Sequence, residues 1–246
     1  MTNDDAALAR RIAAEAGTLL TSLREGREEY ADIGARGDRA AQEYLAGELR
    51  AHRPGDAVLS EEAADDPARL TAERVWIIDP LDGTVEFGEQ GRVDWAVHVA
   101  LWQAGDLAAA AVALPALDRV YGTDDELPLP VRPAGGIRIA VSRTRPPAQA
   151  REVAAAVGAE LVPMGSAGYK VLAVVRGEAE AYLHGGGQYE WDSAAPVAIA
   201  RAAGLHTSRL DGSPLRYNNR DPRLPDLLVC RPELAEDILA ELATVG

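Results

Sequence analysis

The chain has 246 residues, 47% of them apolar, and a formal net charge of −14 at pH 7. That length fits one large α/β domain or two closely packed smaller ones, with enough apolar residue for a sizeable core. The acidic balance excludes a protein that grips a nucleic-acid backbone, which needs a basic stripe, and no apolar run reaches bilayer length, so no membrane partner is expected. The opening MTNDDAALARR carries two acids and no apolar h-region, so it is not read as a signal peptide. Cys230 is the single cysteine, which excludes an internal disulfide framework and fits a reducing cytoplasm.

Leu8, Ile12, Leu19 and Leu23 recur at helical spacing, and Gly26 closes that first helix. A second helix is expected from Asp38 as N-cap, burying Tyr44, Leu45 and Leu49 and ending at Pro54-Gly55. Val58-Leu59 reads as a short strand running into Ser60-Glu61-Glu62. Val75 to Ile78 reads as a buried strand ending at Asp79. Trp95, Val97, Val99 and Leu101 alternate with smaller residues, as in a two-faced strand, with Leu107–Leu114 as its hairpin partner. The Pro-, Gly- and acid-rich stretch from Asp124 to Gly136 marks a boundary. It divides the chain into an N-terminal α/β subdomain (1–125), a linker (126–136) and a C-terminal α/β subdomain (137–246). Beyond it, strands at Ile137–Val141 and Ala179–Leu183 alternate with helices at Pro147–Val157, Gly168–Arg176, Asp192–Ala203 and Pro232–Ala243, a mixed α/β pattern.

Three acidic clusters stand at strand ends or helix starts: Glu61-Glu62, Asp79-Pro80-Leu81-Asp82-Gly83-Thr84, and Trp191-Asp192. A strand that delivers a carboxylate at its C-terminal end places it at a sheet rim, where ligands gather. Pro80 fixes the turn between Asp79 and Asp82, so both can point into one site. Carboxylates crowded in this way repel unless protonated or joined by a cation, and a hard divalent ion is the natural partner. A helical turn starting at Gly83-Thr84 would offer free N–H groups to a phosphate. Each cluster alone also has an ordinary reading: Asp-Gly is a common turn, Asp192 a common N-cap, Glu61-Glu62 a solvated pair. Their joint order is the informative feature.

At these residues the chain resembles the inositol monophosphatase superfamily of lithium-sensitive, metal-dependent phosphatases. The carrying motifs are Ser60-Glu61-Glu62, Trp76-Ile77-Ile78-Asp79-Pro80-Leu81-Asp82-Gly83-Thr84, and Glu190-Trp191-Asp192-Ser193-Ala194-Ala195. Within the superfamily it is most similar to the CysQ branch of 3′(2′),5′-bisphosphate nucleotidases, especially actinobacterial members. That likeness rests on Gly37-Asp38-Arg39, Asp94 to Trp102, Val141 to Pro146, Gly165 to Lys170 and Gly185 to Asp192.

The resemblance implies a layered αβαβα sandwich with the site between two subdomains. It implies that Asp79, the Leu81 carbonyl and Glu61 hold a first Mg²⁺, that Asp79, Asp82 and Asp192 hold a second, and that Glu61 reaches a weaker third. Asp38 and Thr84 would orient or deprotonate the attacking water, with Glu61 beside them. The Gly83 and Thr84 N–H groups would bind the departing phosphate, and Asp82, Ser142, Arg143, Ser166, Lys170 and Asp192 would complete the substrate contacts. The implied reaction is removal of the 3′-phosphate of 3′-phosphoadenosine 5′-phosphate. A broader sugar or inositol phosphatase and an inactive metal-binding interaction protein are the alternatives. Oligomeric state stays open.

Two positions depart from the family pattern. Val85 stands where a basic residue usually follows D-G-T. Gly185 stands where inositol-specific members carry a Glu, which counts against inositol monophosphate. Arg143, Arg145 and Lys170, the only lysine, are the candidate cations for a second phosphate. Replacing Asp82 by Asn is expected to relieve carboxylate repulsion and leave the fold intact. His98 is read as a packed or surface residue, and Cys230 as a small core residue.

Overall fold

Period-two alternation organises the first half of the chain. The computed structural model describes residues 3–26, 32–132 and 135–245. Two helices, α1 (Asn3–Glu25) and α2 (Ile33–His52), precede strand β1 (Ala57–Ser60) and strand β2 (Arg74–Asp82). A short helix, α3 (Thr84–Gly88), leads to β3 (Ala96–Gln103), β4 (Asp106–Leu114) and β5 (Arg119–Gly122). These strands form one sheet in the order β1-β2-β3-β4-β5, parallel between β1 and β2 and antiparallel elsewhere. Trp76, Ile78, Val97, Val99 and Leu101 face α1 and α2, whereas Val75, Ile77, Ala96 and Ala100 face the opposite way.

The second half runs β6 (Ile137–Ser142), α4 (Ala148–Val157), β7 (Ala159–Met164), α5 (Ala167–Val175) and β8 (Ala181–His184). It continues with β9 (Gln188–Tyr189), α6 (Glu190–Ala202), β10 (His206–Ser208), β11 (Arg223–Leu224), β12 (Leu227–Cys230) and α7 (Ala235–Val245). The second sheet has the order β10-β12-β8-β6-β7, and β9 pairs with β11. Helices α5 and α6 lie between the sheets: Val171, Leu172, Ala194, Ala195 and Ile199 share one core with Val75 and Ile77 on one side and Tyr182, Leu227 and Val229 on the other. The outer face of the second sheet is covered by α4 and α7, around Ile139, Val141, Leu183 and Leu228. The layers therefore run α1/α2, sheet, α5/α6, sheet, α4/α7, the expected αβαβα sandwich. Alanines fill the facing surfaces of β3, β4 and α6, which lets the central helices pack close to the first sheet.

Several boundaries differ from the sequence expectation. Asp38 is not an N-cap. It sits inside α2, and Asp32 occupies the position before the helix in a left-handed conformation. Strand β2 does not end at Asp79 but continues to Asp82, because pairing skips over Pro80, which has no N–H, and resumes at Asp82 opposite Ala96. Asp192 is the third residue of α6 and not its cap; its carboxylate reaches back to the Tyr189 N–H at 2.7 Å. Residues 126–132 carry no helix or strand, and Leu127 and Leu129 pack on the central core. Cys230 is fully buried, and burial pushes its thiol up to about 12.

One buried cation joins the two halves. Arg69, in a 3-10 turn at Pro67–Thr71, is 1% exposed. It donates twice to Asp65, to Asn218 Oδ1 at 2.7 Å and to the Asn219 carbonyl at 2.9 Å. The Asn218 and Asn219 N–H groups in turn donate to buried Glu190, two residues before Asp192. Arg69→Met is expected to cost about 1.5–3 kcal/mol in urea unfolding, because it removes the charged hydrogen bonds of a buried guanidinium to Asp65, Asn218 and Asn219. A loss below ~0.5 kcal/mol, the range of a neutral surface change, would show the clamp to be dispensable.

Candidate metal centre and active site

Carboxylates from both halves converge where β2 meets α6. Asp79, Asp82 and Asp192 bring ligand oxygens within 4.8 Å of one another. Asp79 is 1% exposed; its Oδ1 accepts from the Leu81 N–H at 3.1 Å, while Oδ2 is buried with no hydrogen-bond partner. Burial, then the charges of Asp82, Glu61 and Asp192, hold its carboxyl well above the usual range. Burial and the Asp82 charge likewise push Asp192 up to about 7. Glu61 stands at the rim beyond β1, and desolvation followed by the charges of Asp192, Asp82, Glu62 and Asp38 raises it to about 7. An unpartnered buried carboxylate oxygen among further carboxylates is a donor set suited to a hard divalent cation, so these residues fit a bound metal.

Asp82 is different. Burial works against its charge, yet His98, Ser166 and Lys170 outweigh it and bring it down to about 2. Its Oδ2 accepts from Ser166 Oγ at 2.5 Å and the Gly168 N–H at 2.7 Å, and its Oδ1 accepts from the Ala167 N–H at 3.1 Å. Asp82 thus caps α5 from outside, where the free N–H groups and the helix dipole favour a negative charge. Asp82→Asn would relieve the repulsion that Asp82 exerts on Asp79 and Asp192, as expected, but would also weaken the bonds that hold Asp82 at the α5 N-terminus.

Glycines permit these approaches. A Cβ at Gly168 would lie 2.0 Å from His98 Nε2, and one at Gly165 would lie 2.3 Å from Glu86 Cγ. On α2, a Cβ at Gly34 would meet Thr84 Cγ2 at 2.6 Å, and one at Gly37 would meet Leu81 Cδ2 at 2.9 Å. The close contact of α2 brings Asp38 Oδ1 to 3.2 Å from Thr84 Oγ1, which also lies 3.3 Å from the Leu81 carbonyl. Burial and the Glu62 charge push Asp38 up to about 6, against the Thr84 hydrogen bond.

Beside the acids opens a cleft of ≈ 230 Å³. Asp82, Gly83, Ser142, Arg143, Ser166, Lys170 and Asp192 line it together with Val85, Arg145 and His184. Arg143 is engaged across the cleft by Glu86 at 2.9 Å and Glu89 at 2.9 Å. Lys170 is buried and spends donors on the Gly165 and Ser166 carbonyls. Burial lowers it to about 8, against the pull of Asp82, Glu86, Asp192 and Asp94. Arg145 is exposed and makes no ion pair among the described residues. His98, read from the sequence as ordinary, is fully buried beside Asp82. Its signal was a polar residue in a strand whose alternate positions are apolar on one face and small on the other.

The fold and site together define a layered α/β protein with a carboxylate cluster between its two sheets that is compatible with a bound metal. The model of the inositol monophosphatase family matches residues 4–245, and the chain belongs to that family. It is 52% identical to a protein of Mycobacterium leprae named 3′-phosphoadenosine 5′-phosphate phosphatase, over 98% of this chain and 94% of that one. It is 30% identical to the Escherichia coli 3′(2′),5′-bisphosphate nucleotidase CysQ, over 75% of this chain and 79% of the other. Among solved structures, CysQ from Bacteroides thetaiotaomicron superposes with a TM-score of 0.82 at 26% identity, covering 93% of this chain and 97% of its own.

Two outcomes follow from the unequal states of the acids. In chelated protein, Asp79→Asn is expected to stabilise the fold by about 1 kcal/mol at neutral pH and so raise the melting temperature, because it removes the cost of protonating or burying that carboxylate. Asp82→Asn is expected to lower it, by roughly 1.5–3 kcal/mol for lost charged hydrogen bonds. Shifts of the same sign would refute the assignment. The pH dependence has a definite sign as well. Asp79, Asp192 and Glu61 have raised pKa values in the fold, so their protonation supports it at low pH. That support is fully present below the ordinary carboxylate range and is lost as pH rises through about 7. The rise in melting temperature on adding a divalent cation is therefore expected to be larger near pH 8 than near about pH 5.5, since the cation displaces those protons. Equal rises at both pH values would exclude these acids as its ligands.

Proposed function

We propose that this chain is a Mg²⁺-dependent phosphomonoesterase that removes the 3′-phosphate of 3′-phosphoadenosine 5′-phosphate, leaving AMP. The observation that carries the reading is a cleft lined by Asp82, Asp192 and Arg145, beside a carboxylate cluster in which Asp79 keeps an unpartnered oxygen. Such a cleft suits a small molecule with two phosphates, the substrate type named for the mycobacterial relative. Glu61, Asp79, the Leu81 carbonyl, Asp82 and Asp192 would hold two Mg²⁺ ions, with Glu61 reaching a third. No helix among the described residues is long and apolar enough to cross a membrane, and a single buried cysteine suits a cytoplasmic enzyme.

Phosphate monoesters hydrolyse extremely slowly without help, so strong electrostatic stabilisation is required. Bound Mg²⁺ supplies charge at the phosphoryl oxygens and makes water a better nucleophile near neutral pH. The chain supplies the rest. Thr84 Oγ1 donates to Asp38, which leaves its lone pairs to accept from the attacking water. Asp38, raised to about 6, is placed to take the proton passed on through Thr84. The Gly83 and Thr84 N–H groups, at the start of α3, face the departing phosphate. Gly83 has φ +93°, and a Cβ there would meet Trp95 Cα at 3.3 Å, so the turn needs glycine. Water oxygen adds to phosphorus as its proton passes to Asp38, the ester P–O bond breaks, and the 3′-oxygen takes a proton from solvent, to which Asp38 later returns its own.

The second phosphate needs a cation not already committed. Ser142, Arg143, Ser166 and Lys170 line the same cleft and belong to the proposed substrate site, and Arg145 extends it. Removing Arg145 as Arg145→Met is expected to raise KM for the bisphosphate roughly ten- to a hundredfold, the equivalent of about 1.5–3 kcal/mol. A substrate with one phosphate should change by less than about threefold. Equal losses on both would remove Arg145 from the substrate site. The reading as a whole is tested by kcat/KM, with and without Mg²⁺, on 3′-phosphoadenosine 5′-phosphate, fructose 1,6-bisphosphate and inositol 1-phosphate. A preference for either sugar phosphate would overturn the substrate, and turnover with chelator present would overturn the metal chemistry.

A further inference from the structure

His98 lies on β3 opposite Asp79 in the strand register, on the face turned toward α5 and α6. It is 0% exposed, so it can touch neither substrate nor solvent. Its Nδ1 is 3.0 Å from the Trp191 carbonyl. A carbonyl only accepts, so Nδ1 carries a proton and donates it there. On the other side of the ring, Nε2 lies against Asp82, 3.2 Å from its Oδ2, though not aligned as a hydrogen bond. One rigid ring therefore spans from the carboxylate at the end of β2 to the backbone beside Asp192 on α6. Gly168 is shaped to admit it, since any Cβ there would overlap Nε2.

We infer that His98 is a positioning residue that sets the spacing between Asp82 and Asp192, and with it the affinity of the cation site these residues share. The inference rests on the metal reading above. Asp82 and Asp192 come from opposite halves of the chain, and nothing covalent fixes their separation. Ser166 and the α5 N–H groups hold Asp82 toward α5. Tyr189 holds the other carboxylate within its own helix turn. Among the hydrogen bonds and ion pairs of the described residues, only the imidazole reaches both Asp82 and the Trp191 carbonyl next to Asp192. A group that orients a ligand from behind shapes metal affinity without entering the chemistry.

The test uses the full chain and Mg²⁺ alone, read by calorimetric titration and by the Mg²⁺ concentration that half-saturates the melting-temperature rise. His98→Leu keeps bulk but loses both polar contacts; it is expected to weaken Mg²⁺ binding about ten- to a hundredfold. His98→Asn can still donate to the Trp191 carbonyl but is too short to reach Asp82, and is expected to weaken binding similarly. His98→Gln, long enough to approach Asp82, is expected to stay within about threefold of the parent protein. Val99→Ala, on the opposite face of β3, serves as a control for general loss of stability. Parent-like affinity in the Asn variant, or an equal loss in Val99→Ala, would overturn the role of His98, even if the Leu variant fails to fold. If the parent protein itself binds no Mg²⁺, the metal reading fails and this inference fails with it. If the parent binds and the variants match it, the metal reading stands and only the role of His98 fails.

Discussion

Repulsion among buried carboxylates shapes this molecule. Three acids share a volume only a few ångströms across, and in a low-dielectric interior like charges at that range are costly. The fold meets the cost unequally. Asp82 is compensated by the chain itself, through the α5 N-terminus, the Ser166 hydroxyl, His98 and the buried Lys170. Asp79 is left with one bond and one bare oxygen, and Asp192 with a single backbone donor. A site built this way holds one permanent anion and leaves room for a cation to satisfy the others. Were a cation to bind there, proton release from Asp79 and Asp192 would be part of that binding and not a separate event.

The layered architecture is what makes this possible. Helices α5 and α6 lie between two sheets, so their N-termini reach the end of β2, where Asp79 and Asp82 emerge. The Ala-rich facing surfaces allow the approach, and glycines at 34, 37, 165 and 168 remove the side chains that would block it. Arg69 and Glu190 lock the loop beyond Glu61 to the start of α6 from behind. Acids supplied by distant parts of the sequence thereby become neighbours with fixed geometry.

Much of this could be read from the residues in order. Alternation at Trp95–Leu101 and the apolar run at Val75–Ile78 identify their strands, because both faces of the first sheet are covered and each face has its own pattern. The acids at 79, 82 and 192 stand out because they interrupt apolar runs. Caps were harder. Asp38 and Asp192 look like N-caps locally, but Asp38 lies inside α2 with its side chain on distant Thr84, and Asp192 stands in the first turn of α6 and reaches back to the Tyr189 N–H. His98, expected as a packed or surface residue, is packed; its place opposite Asp79 depends on the pairing register, which is non-local. The roles of Arg143, Arg145 and Lys170 could not be sorted either. Which cation is already engaged depends on Glu86, Glu89 and backbone carbonyls far away in sequence.

Lys170 has a practical consequence. It is the chain's only lysine, and it is 5% exposed, its ammonium pressed against the carbonyls of the turn that caps Asp82. Reagents or enzymes that acylate lysine side chains find a single target, and it lies inside the folded protein. Modification at Lys170 then requires the α5 turn to open, so the rate of acylation at this one residue is a clock for local unfolding at the heart of the site.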